Sequence, residues 1–405
     1  MEILYFAYVN LDRPNACQAH TLGLLRGFSE NGCQVTAVVP RPRMGCPSVP
    51  GISFHFLPPH PGGRRGYPAA IFLSLALLGH LCRRQRYLAL YARDMDVFVG
   101  PRLCSRIFGL PLFLEVDDAP VEGNYPGWLR PLVAANVRAD YRRATGLIVP
   151  SVPRCQELIR DFGASPEKVH LVLNGAEPPR GLILPKHEAK ARLNLASDSF
   201  CLGYVGSVNE RYDFETMLQA LRLLLGRIPG GYLIVVGDGS HLNQVKSRAR
   251  DLGLGSRVVF TGFLQPEGLS QVVPAMEVGL MNLKAPEARR HGPVHTKMGT
   301  YAMFGLPVIT AGDSLDGYPE ELKEGLFLVP PEDPQALAEV CFALFRQPKK
   351  ARRRGHLLRD YVRDHLTWGQ VARQILALMK APNQEGVRAM QTKGRTWAKQ
   401  SHVKP

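Results

Sequence analysis

No apolar run in the chain reaches the roughly 18–20 residues that a membrane-spanning helix needs. The longest runs from Ala69 to Leu78, and it extends to Cys82 only with Gly79 and His80 interrupting it. The chain opens Met1-Glu2-Ile3-Leu4-Tyr5-Phe6, without a basic leader or a small-residue cleavage site, so no signal peptide is expected. The 8 cysteines form no Cys-x-x-Cys pair and none stands at zinc-finger spacing. Scattered thiols without a leader are those of a reduced, cytoplasmic protein. Glycine (39) and proline (33) are spread too evenly for a collagenous or low-complexity chain, and there is no short internal repeat.

What is present is the composition of a soluble globular protein. The 405 residues are 45% hydrophobic and 21% charged, enough for two or three domains with cores of their own. The imbalance lies in charge: 50 Lys and Arg against 35 Asp and Glu give a net +15. Such a balance favours anionic partners, namely nucleic acid, phosphorylated small molecules or an acidic lipid surface. No helix-turn-helix, zinc or RNA-binding aromatic motif accompanies it, and the basic residues are dispersed, so nucleic acid is not the expected partner.

Strand-like runs alternate with helix-like runs. Ile3 to Val9 is apolar and of strand length; Thr21 to Glu30 has helical spacing and stops at Asn31-Gly32; Val35 to Val39 is the next strand. This is a strand–helix–strand unit. Further strands are expected at Leu88–Tyr91, Leu112–Val116, Gly146–Val149 and Val169–Leu173, with helices at Val133–Ala144 and Arg154–Phe162, the latter capped by Ser151. After a Pro-rich stretch from Pro178 to Pro185, a second series begins. Its strands are Leu202–Val205, Tyr232–Val236, Val258–Phe260, Val278–Met281, Val308–Ile309 and Phe327–Val329. The strands are continuously apolar, as parallel strands covered on both faces are. The expected fold is α/β: two doubly wound, Rossmann-like domains, residues 1–180 and 181–365, facing a cleft, with a terminal helix over 366–381 and a flexible basic tail over 382–405.

Three segments of the second half stand out. In Gly203-Tyr204-Val205-Gly206-Ser207-Val208-Asn209-Glu210-Arg211, a strand ends in a small residue and a loop leads to a helix. That arrangement sets backbone N–H groups and Arg211 where a phosphate sits; the plainer alternative is a turn with a solvated arginine. In Val236-Gly237-Asp238-Gly239-Ser240, two glycines after a strand allow close approach by a ligand, or serve only the turn. The third runs from His291 to Ile309, where Thr296 or His295 would cap a helix that ends at Gly305-x-Pro307. Lys297 at that helix start opposes the helix dipole unless an anion is bound there or the side chain bends into solvent.

These segments, in their order and spacing, resemble the retaining GT-B glycosyltransferases of family 4 (glycosyl transferases group 1). The likeness runs from Met1 to about Met379. It rests on Ile3-Leu4-Tyr5 with Asn31-Gly32 and Val35-Thr36, on Val172-Leu173-Asn174-Gly175-Ala176-Glu177, on Val236-Gly237-Asp238-Gly239 and on Val258-Val259-Phe260-Thr261-Gly262. Lys297 through Ile309, Pro330 through Ala338, and Thr367-Trp368 continue it. The resemblance implies that the second half binds a nucleotide-sugar and the first half the acceptor, with retention at the anomeric carbon and a C-terminal helix crossing back.

Carried over residue by residue, the family's diphosphate-binding arginine falls on Ser207 and its lysine on Arg211. Its two donor-contacting glutamates fall on Gly292 and Thr300, so both carboxylates are absent here. The expected donor contacts are therefore Gly206, Ser207, Gly237, Thr296 and Thr300, with Arg211 and Lys297 on the diphosphate; Arg289, Arg290, His291 and His295 add cationic charge. After the strand ending at Val116 the family often has a histidine; here Asp117-Asp118 stands there. Asp117 is either the group that takes the acceptor's proton or a cap or ion-pair partner. The loop from Asn10 to His20 has Asn15-Ala16 in place of the family's glycine pair. Asp94-Met95-Asp96 mimics a metal-binding pair but follows a strand of the first half, where capping is the expected role. No metal and no cofactor are expected beyond the nucleotide-sugar substrate.

Arg64-Arg65 and Arg83-Arg84-x-Arg86 bracket the Ala69–Leu78 helix, the pattern of either an interfacial helix or a buried one with basic flanks. The expected activity is metal-independent transfer of a hexose-type sugar from a nucleotide-sugar to a hydroxyl of a surface polysaccharide or lipid-linked glycan, in the cytoplasm and peripherally on the membrane. The alternatives are a GT-B-like binding partner without catalysis, and an epimerase, which would form product without an acceptor.

Overall fold

The computed structural model of the chain describes residues 1–12, 16–43, 45, 47–59, 67–93, 98–117 and 125–380. Asn15, Arg64-Arg65, Asp94-Met95-Asp96, Asp118 and the tail from Pro382 lie outside them. The chain divides into two compact units, one of residues 1–175 with the terminal helix, the other Ala176–Thr367.

The first unit is β1 (Glu2–Ala7), α1 (Ala16–Glu30), β2 (Gln34–Pro40), β3 (Ile52–Leu57), α2 (Tyr67–Arg84), β4 (Ala89–Arg93), α3 (Val99–Phe108), β5 (Leu112–Glu115), α4 (Arg130–Arg143), β6 (Gly146–Val149), α5 (Val152–Arg160) and β7 (Val169–Leu171). The second is α6 (Lys186–Arg192), β8 (Phe200–Val205), α7 (Phe214–Leu225), β9 (Gly231–Val236), α8 (Leu242–Asp251), β10 (Val258–Gly262), α9 (Pro266–Val272), β11 (Val278–Met281), α10 (Ala285–His291), α11 (Lys297–Met303), β12 (Val308–Ala311), α12 (Glu320–Gly325), β13 (Leu326–Val329), α13 (Pro334–Arg346) and α14 (Pro348–His365). Helix α15 (Trp368–Lys380) ends the described chain and packs in the first unit.

The first unit holds a 7-stranded sheet in the order β3-β2-β1-β4-β5-β6-β7. All its pairings are parallel. Alternate residues of β1 face opposite layers, as the two-residue strand period requires. Leu4 and Phe6 join a core with Leu78 and Leu81 of α2, Cys104 of α3, Val133 and Val137 of α4 and Leu158 of α5. Ile3 and Tyr5 join the other, with Leu24 and Phe28 of α1 and Val371 and Ile375 of α15. Both faces are covered, which is why the inner strands read as unbroken apolar runs.

Strand β3 was not expected. Its residues alternate apolar and polar (Ile52, Ser53, Phe54, His55, Phe56), and it lies at the sheet edge with most of them only partly buried. A search for continuous apolar runs passes over such a strand. Ser151 does occupy the N-cap position of α5, but its side chain makes no capping hydrogen bond.

The second unit holds a 6-stranded parallel sheet in the order β10-β9-β8-β11-β12-β13. Its core joins Leu202 and Tyr204 of β8, Leu218 and Leu221 of α7, Leu233 and Val235 of β9, and Leu337 and Cys341 of α13. Asp213 caps α7, accepting from Thr216 N at 3.0 Å, and Asp333 caps α13, accepting from Ala336 N at 2.8 Å.

Helices α1 and α15 meet through glycine. A Cβ on Gly27 would stand 2.2 Å from the Trp368 carbonyl oxygen, and one on Gly23 would stand 2.3 Å from the indole nitrogen of Trp368. The seam therefore exists only because two α1 positions lack side chains. Gly27→Ala should lower stability by about 1–3 kcal/mol in urea unfolding, because overpacking against backbone outweighs the better helix propensity of alanine. A variant as stable as the parent would contradict this seam.

Candidate donor and acceptor sites

In a doubly wound sheet the ligand crevice opens at the C-terminal strand ends, where the strand order reverses. In the second unit that point lies between β8 and β11, and it is built from three loops tied by backbone hydrogen bonds. Gly206 N donates to Val236 O at 2.9 Å, Val208 N to Asp238 O at 2.9 Å, and Gly237 N to Gly262 O at 2.8 Å. The approach is so close that a Cβ on Gly237 (φ +139°) would lie 1.8 Å from the Gly206 oxygen. Gly206 (φ +145°) makes room in turn for Lys297, whose Cε would meet a Cβ there at 2.3 Å. Both glycines thus have a steric reason independent of any ligand.

Lys297, the first residue of α11, does not bend into solvent; it is only 9% exposed. Its Nζ lies 3.7 Å from the ring centroid of Tyr212 and 5.5 Å from that of Tyr204. Tyr204 is itself fixed by donating its hydroxyl hydrogen to Ser207 O at 2.6 Å. Among the described residues no carboxylate pairs with Lys297. Burial, with repulsion from Arg211, pushes its ammonium down to about 7.

Arg211 sits on the loop between β8 and α7. That loop is fastened to the one after β11: Lys284 N donates to Arg211 O at 3.0 Å and Asp213 N to Asn282 O at 3.0 Å. The guanidinium contacts Glu287 Oε2 (Nε at 2.8 Å) and the His291 ring, both on α10. His291 Nε2 lies 3.2 Å from the same Glu287 oxygen. Burial would raise the Glu287 carboxyl, but Arg211 overrides it and holds it below its ordinary value. His295 is pushed down to about 3 by burial and by the charges of Lys297, His291 and Arg211. Its enclosed Nε2 has no hydrogen-bond partner among the described residues.

The structure thus groups Gly206, Gly237, Arg211 and Lys297 at the switch point of the second unit. Ser207 is on the same loop and exposed. Thr296 is exposed at the N-cap position of α11 but makes no side-chain cap. Thr300 is half-buried one turn into that helix. Gly292, at the glutamate position, has φ 74° and closes α10 by donating its N–H to Ala288 O at 2.9 Å. Sequence reasoning missed Glu287 and the two tyrosines, because only the folded loops bring them to Arg211 and Lys297.

In the first unit the order reverses between β1 and β4. Asp117, just beyond β5, accepts from Arg93 Nη2 through Oδ2 at 2.7 Å. Arg93, at the end of β4, is 1% exposed, and its Nε lies 3.7 Å from Glu115 Oε2. Tyr91 donates to Glu115 Oε2 at 2.6 Å, and His20 Nε2 from α1 meets Glu115 Oε1 at 2.7 Å. Burial would raise the Glu115 carboxyl; Arg93 and His20 reverse this and hold it well below its ordinary value. Asp117 is the group of this network that reaches solvent, its side chain 35% exposed. His20, Glu115 and Asp117 place three ligand-type atoms within 4.8 Å of one another, with Arg93 on Asp117 Oδ2 and Tyr91 on Glu115 Oε2. The sequence marked Asp117 alone; Tyr91 and Glu115 lie within strand runs that read only as core, and Arg93 lies just past the expected end of one.

Two Rossmann-like units, each with polar groups gathered at its switch point, define an α/β protein of GT-B architecture. Comparison with known proteins places it further. Residues 199–347 match the family model described as glycosyl transferases group 1, and residues 15–175 match the glycosyl transferase 4-like domain. The two matches together support a group 1 glycosyl transferase. It is 29% identical to a 2-deoxystreptamine glucosyltransferase of Streptomyces kanamyceticus over 53% of this chain and 56% of that one. It is 30% identical to the lipopolysaccharide core biosynthesis glycosyltransferase LpsE of Rhizobium meliloti over 31% and 34% of the two chains. The matched stretches thus span about half of the first relative and a third of the second. Among solved structures, Anabaena HepE in complex with UDP superposes with a TM-score of 0.69 at 16% identity, covering 94% of this chain and 100% of that one. A glycosyltransferase from Rickettsia africae gives 0.71 at 14% identity, covering 95% and 99%. These share the fold.

The buried Lys297 has a measurable consequence. Its folded pKa of about 7 lies below the ordinary lysine value of 10.5. Between those two values the unfolded chain binds the extra proton, so stability contributed through Lys297 rises with pH across that window. Below about pH 7 both states are protonated and the full burial penalty applies. The stability of the parent relative to Lys297→Met should therefore increase from pH 7 to 10, by on the order of 1 kcal/mol per pH unit, in parallel urea titrations. A difference that stays flat would show that the ammonium is not desolvated.

Proposed function

We propose that the protein transfers a sugar from a nucleotide-sugar donor to an acceptor hydroxyl, with the donor held by the second unit and the acceptor by the first. The observation that carries this reading is Lys297: a nearly buried cation, without a carboxylate partner among the described residues, at the switch point beside Gly206. Charge of that kind is stabilised by an anion, and a nucleotide diphosphate supplies one. Arg211 adds a second cation, and the two would stabilise the negative charge that develops on the departing diphosphate. Arg93 holds Asp117 in place, and Asp117 takes the proton of the attacking hydroxyl.

The finer reading draws on the relatives. Anabaena HepE has been solved with UDP-glucose, at 17% identity to this chain and a TM-score of 0.68, which supports a uridine donor as the first to try. Family likeness supports retention. We further propose that Thr300 hydrogen-bonds a donor hydroxyl where the family uses a carboxylate, that Thr296 adds a second hydroxyl contact, and that transfer needs no metal. The acceptor is a surface polysaccharide or a lipid-linked glycan, and the enzyme works in the cytoplasm against the membrane. One observation favours a second reading, a donor-binding partner without catalysis: Gly292 and Thr300 stand where the family's two glutamates do.

Ligand-observed NMR with UDP-, GDP-, CMP- and dTDP-sugars tests the donor site. The parent should bind one nucleotide class, and Arg211→Ala/Lys297→Ala should weaken that binding by about a hundredfold, from two lost charged hydrogen bonds. Asp117→Asn should leave donor affinity unchanged while lowering transfer about a hundredfold or more. Donor binding without turnover on any glycan acceptor would favour the second reading, and no binding by folded protein would count against both.

A further inference from the structure

We propose that the outer face of the α2–α3–α4 layer docks on a bilayer containing anionic lipids. This deepens, and rests on, the membrane contact in the proposed function. All three helices send apolar residues into the same core on one face of the first unit's sheet. They adjoin one another: Cys82 and Cys104 bring α2 and α3 to 3.5 Å, and Arg102 of α3 meets Asp140 of α4 at 2.9 Å. Their opposite sides therefore form one continuous outer surface.

That surface has two unusual properties. It exposes large apolar side chains that the fold does not need there: Phe72 (76% exposed) and Leu73 (41%) on α2, Trp128 (80%) before α4 and Leu132 (60%) on it. The three helices that form it also present charge of one sign. Helices α2 and α3 contain no acidic residue, and the one acid of α4, Asp140, is buried against Arg102 and the Phe98 N–H. Exposed arginines accompany the apolar residues: Arg130 stands between Trp128 and Leu132 in the chain, Arg138 further along α4, and Arg83, Arg84, Arg106 and Arg142 in the last turns of the three helices. Apolar and tryptophan side chains entering the acyl boundary, with arginines at headgroup level, are the physical requirements of an interfacial anchor. No helix of the described residues is long and apolar enough to cross a membrane, so the contact is one of lying on the surface.

The sheet also sets the orientation. Parallel strands require each connecting helix to run back antiparallel to them. The first half of α2 and the start of α4 thus lie toward the C-terminal strand edge, where Asp117 is. Docking through Phe72 and Trp128 brings that edge to the bilayer, as an acceptor carried on a lipid demands.

Co-flotation of the full chain with vesicles tests this. Phosphatidylcholine alone is compared with phosphatidylcholine mixed with phosphatidylglycerol, at low and high salt. The parent should float with the mixed vesicles at low salt and be released by high salt or by omitting the anionic lipid. Phe72→Ser/Trp128→Ser should reduce partition about tenfold or more, and Arg130→Gln/Arg138→Gln/Arg142→Gln should do likewise. Leu182→Ser, at a residue 73% exposed in the second unit, should bind as the parent does. All substitutions are at exposed positions, and unchanged circular dichroism confirms folding. The basic terminal sequence is intact in every variant, so partition that persists in both sets overturns the proposal. So does equal binding to neutral vesicles or none to either. The assay uses no nucleotide-sugar: a chain that floats but binds no donor fails the transferase reading alone, and one that binds donor without floating fails only this one.

Discussion

The contact between Lys297 and Gly206 is the constraint on which the second unit's site depends. An ammonium in that position is costly to desolvate, and its only stabilising neighbours in the described structure are aromatic faces. To reach them it needs a loop residue without a side chain. That loop in turn needs Gly237, because the Gly206 carbonyl occupies the space a Cβ would take. Tyr301 closes the arrangement from behind: its hydroxyl donates to Leu280 O at 3.0 Å and accepts from Val205 N at 2.8 Å, joining the ends of β8 and β11. One charged group, two glycines and a buried tyrosine thus hold the switch point in a single geometry.

The first unit solves a different problem. There the charges are compensated within the protein, through Arg93, Glu115, His20 and Tyr91, and only Asp117 is left partly open to solvent. A compensated network holds a group in place; an uncompensated cation is open to an anion. That contrast, more than the shared topology, underlies the acceptor and donor roles proposed for the two units.

Much of the fold was legible in the sequence, because parallel strands covered on both faces leave unbroken apolar runs and several of their connecting helices, α1, α3 and α11 among them, end beside a glycine. The edge strand Ile52–Leu57 was not, since one side of it is left partly uncovered. At the site, Arg211, Lys297 and Asp117 were marked by position, each standing next to a strand end or helix start. Glu287, Tyr212 and Arg93 carry no such mark. Their importance comes from loops packing together, and no spacing along the chain reports that. The expected Thr296 cap failed for a related reason. Thr296 already has helical backbone angles, φ −49° and ψ −34°, whereas a capping side chain folds back from an extended residue.

A crystal structure of the protein grown with the nucleotide diphosphate of its preferred donor class tests the central claim most directly. The account predicts a terminal phosphate oxygen within about 3 Å of Lys297 Nζ, with Arg211 turned from Glu287 toward the diphosphate. A nucleotide bound elsewhere, with Lys297 still packed against Tyr212 and no phosphate within reach, would contradict it.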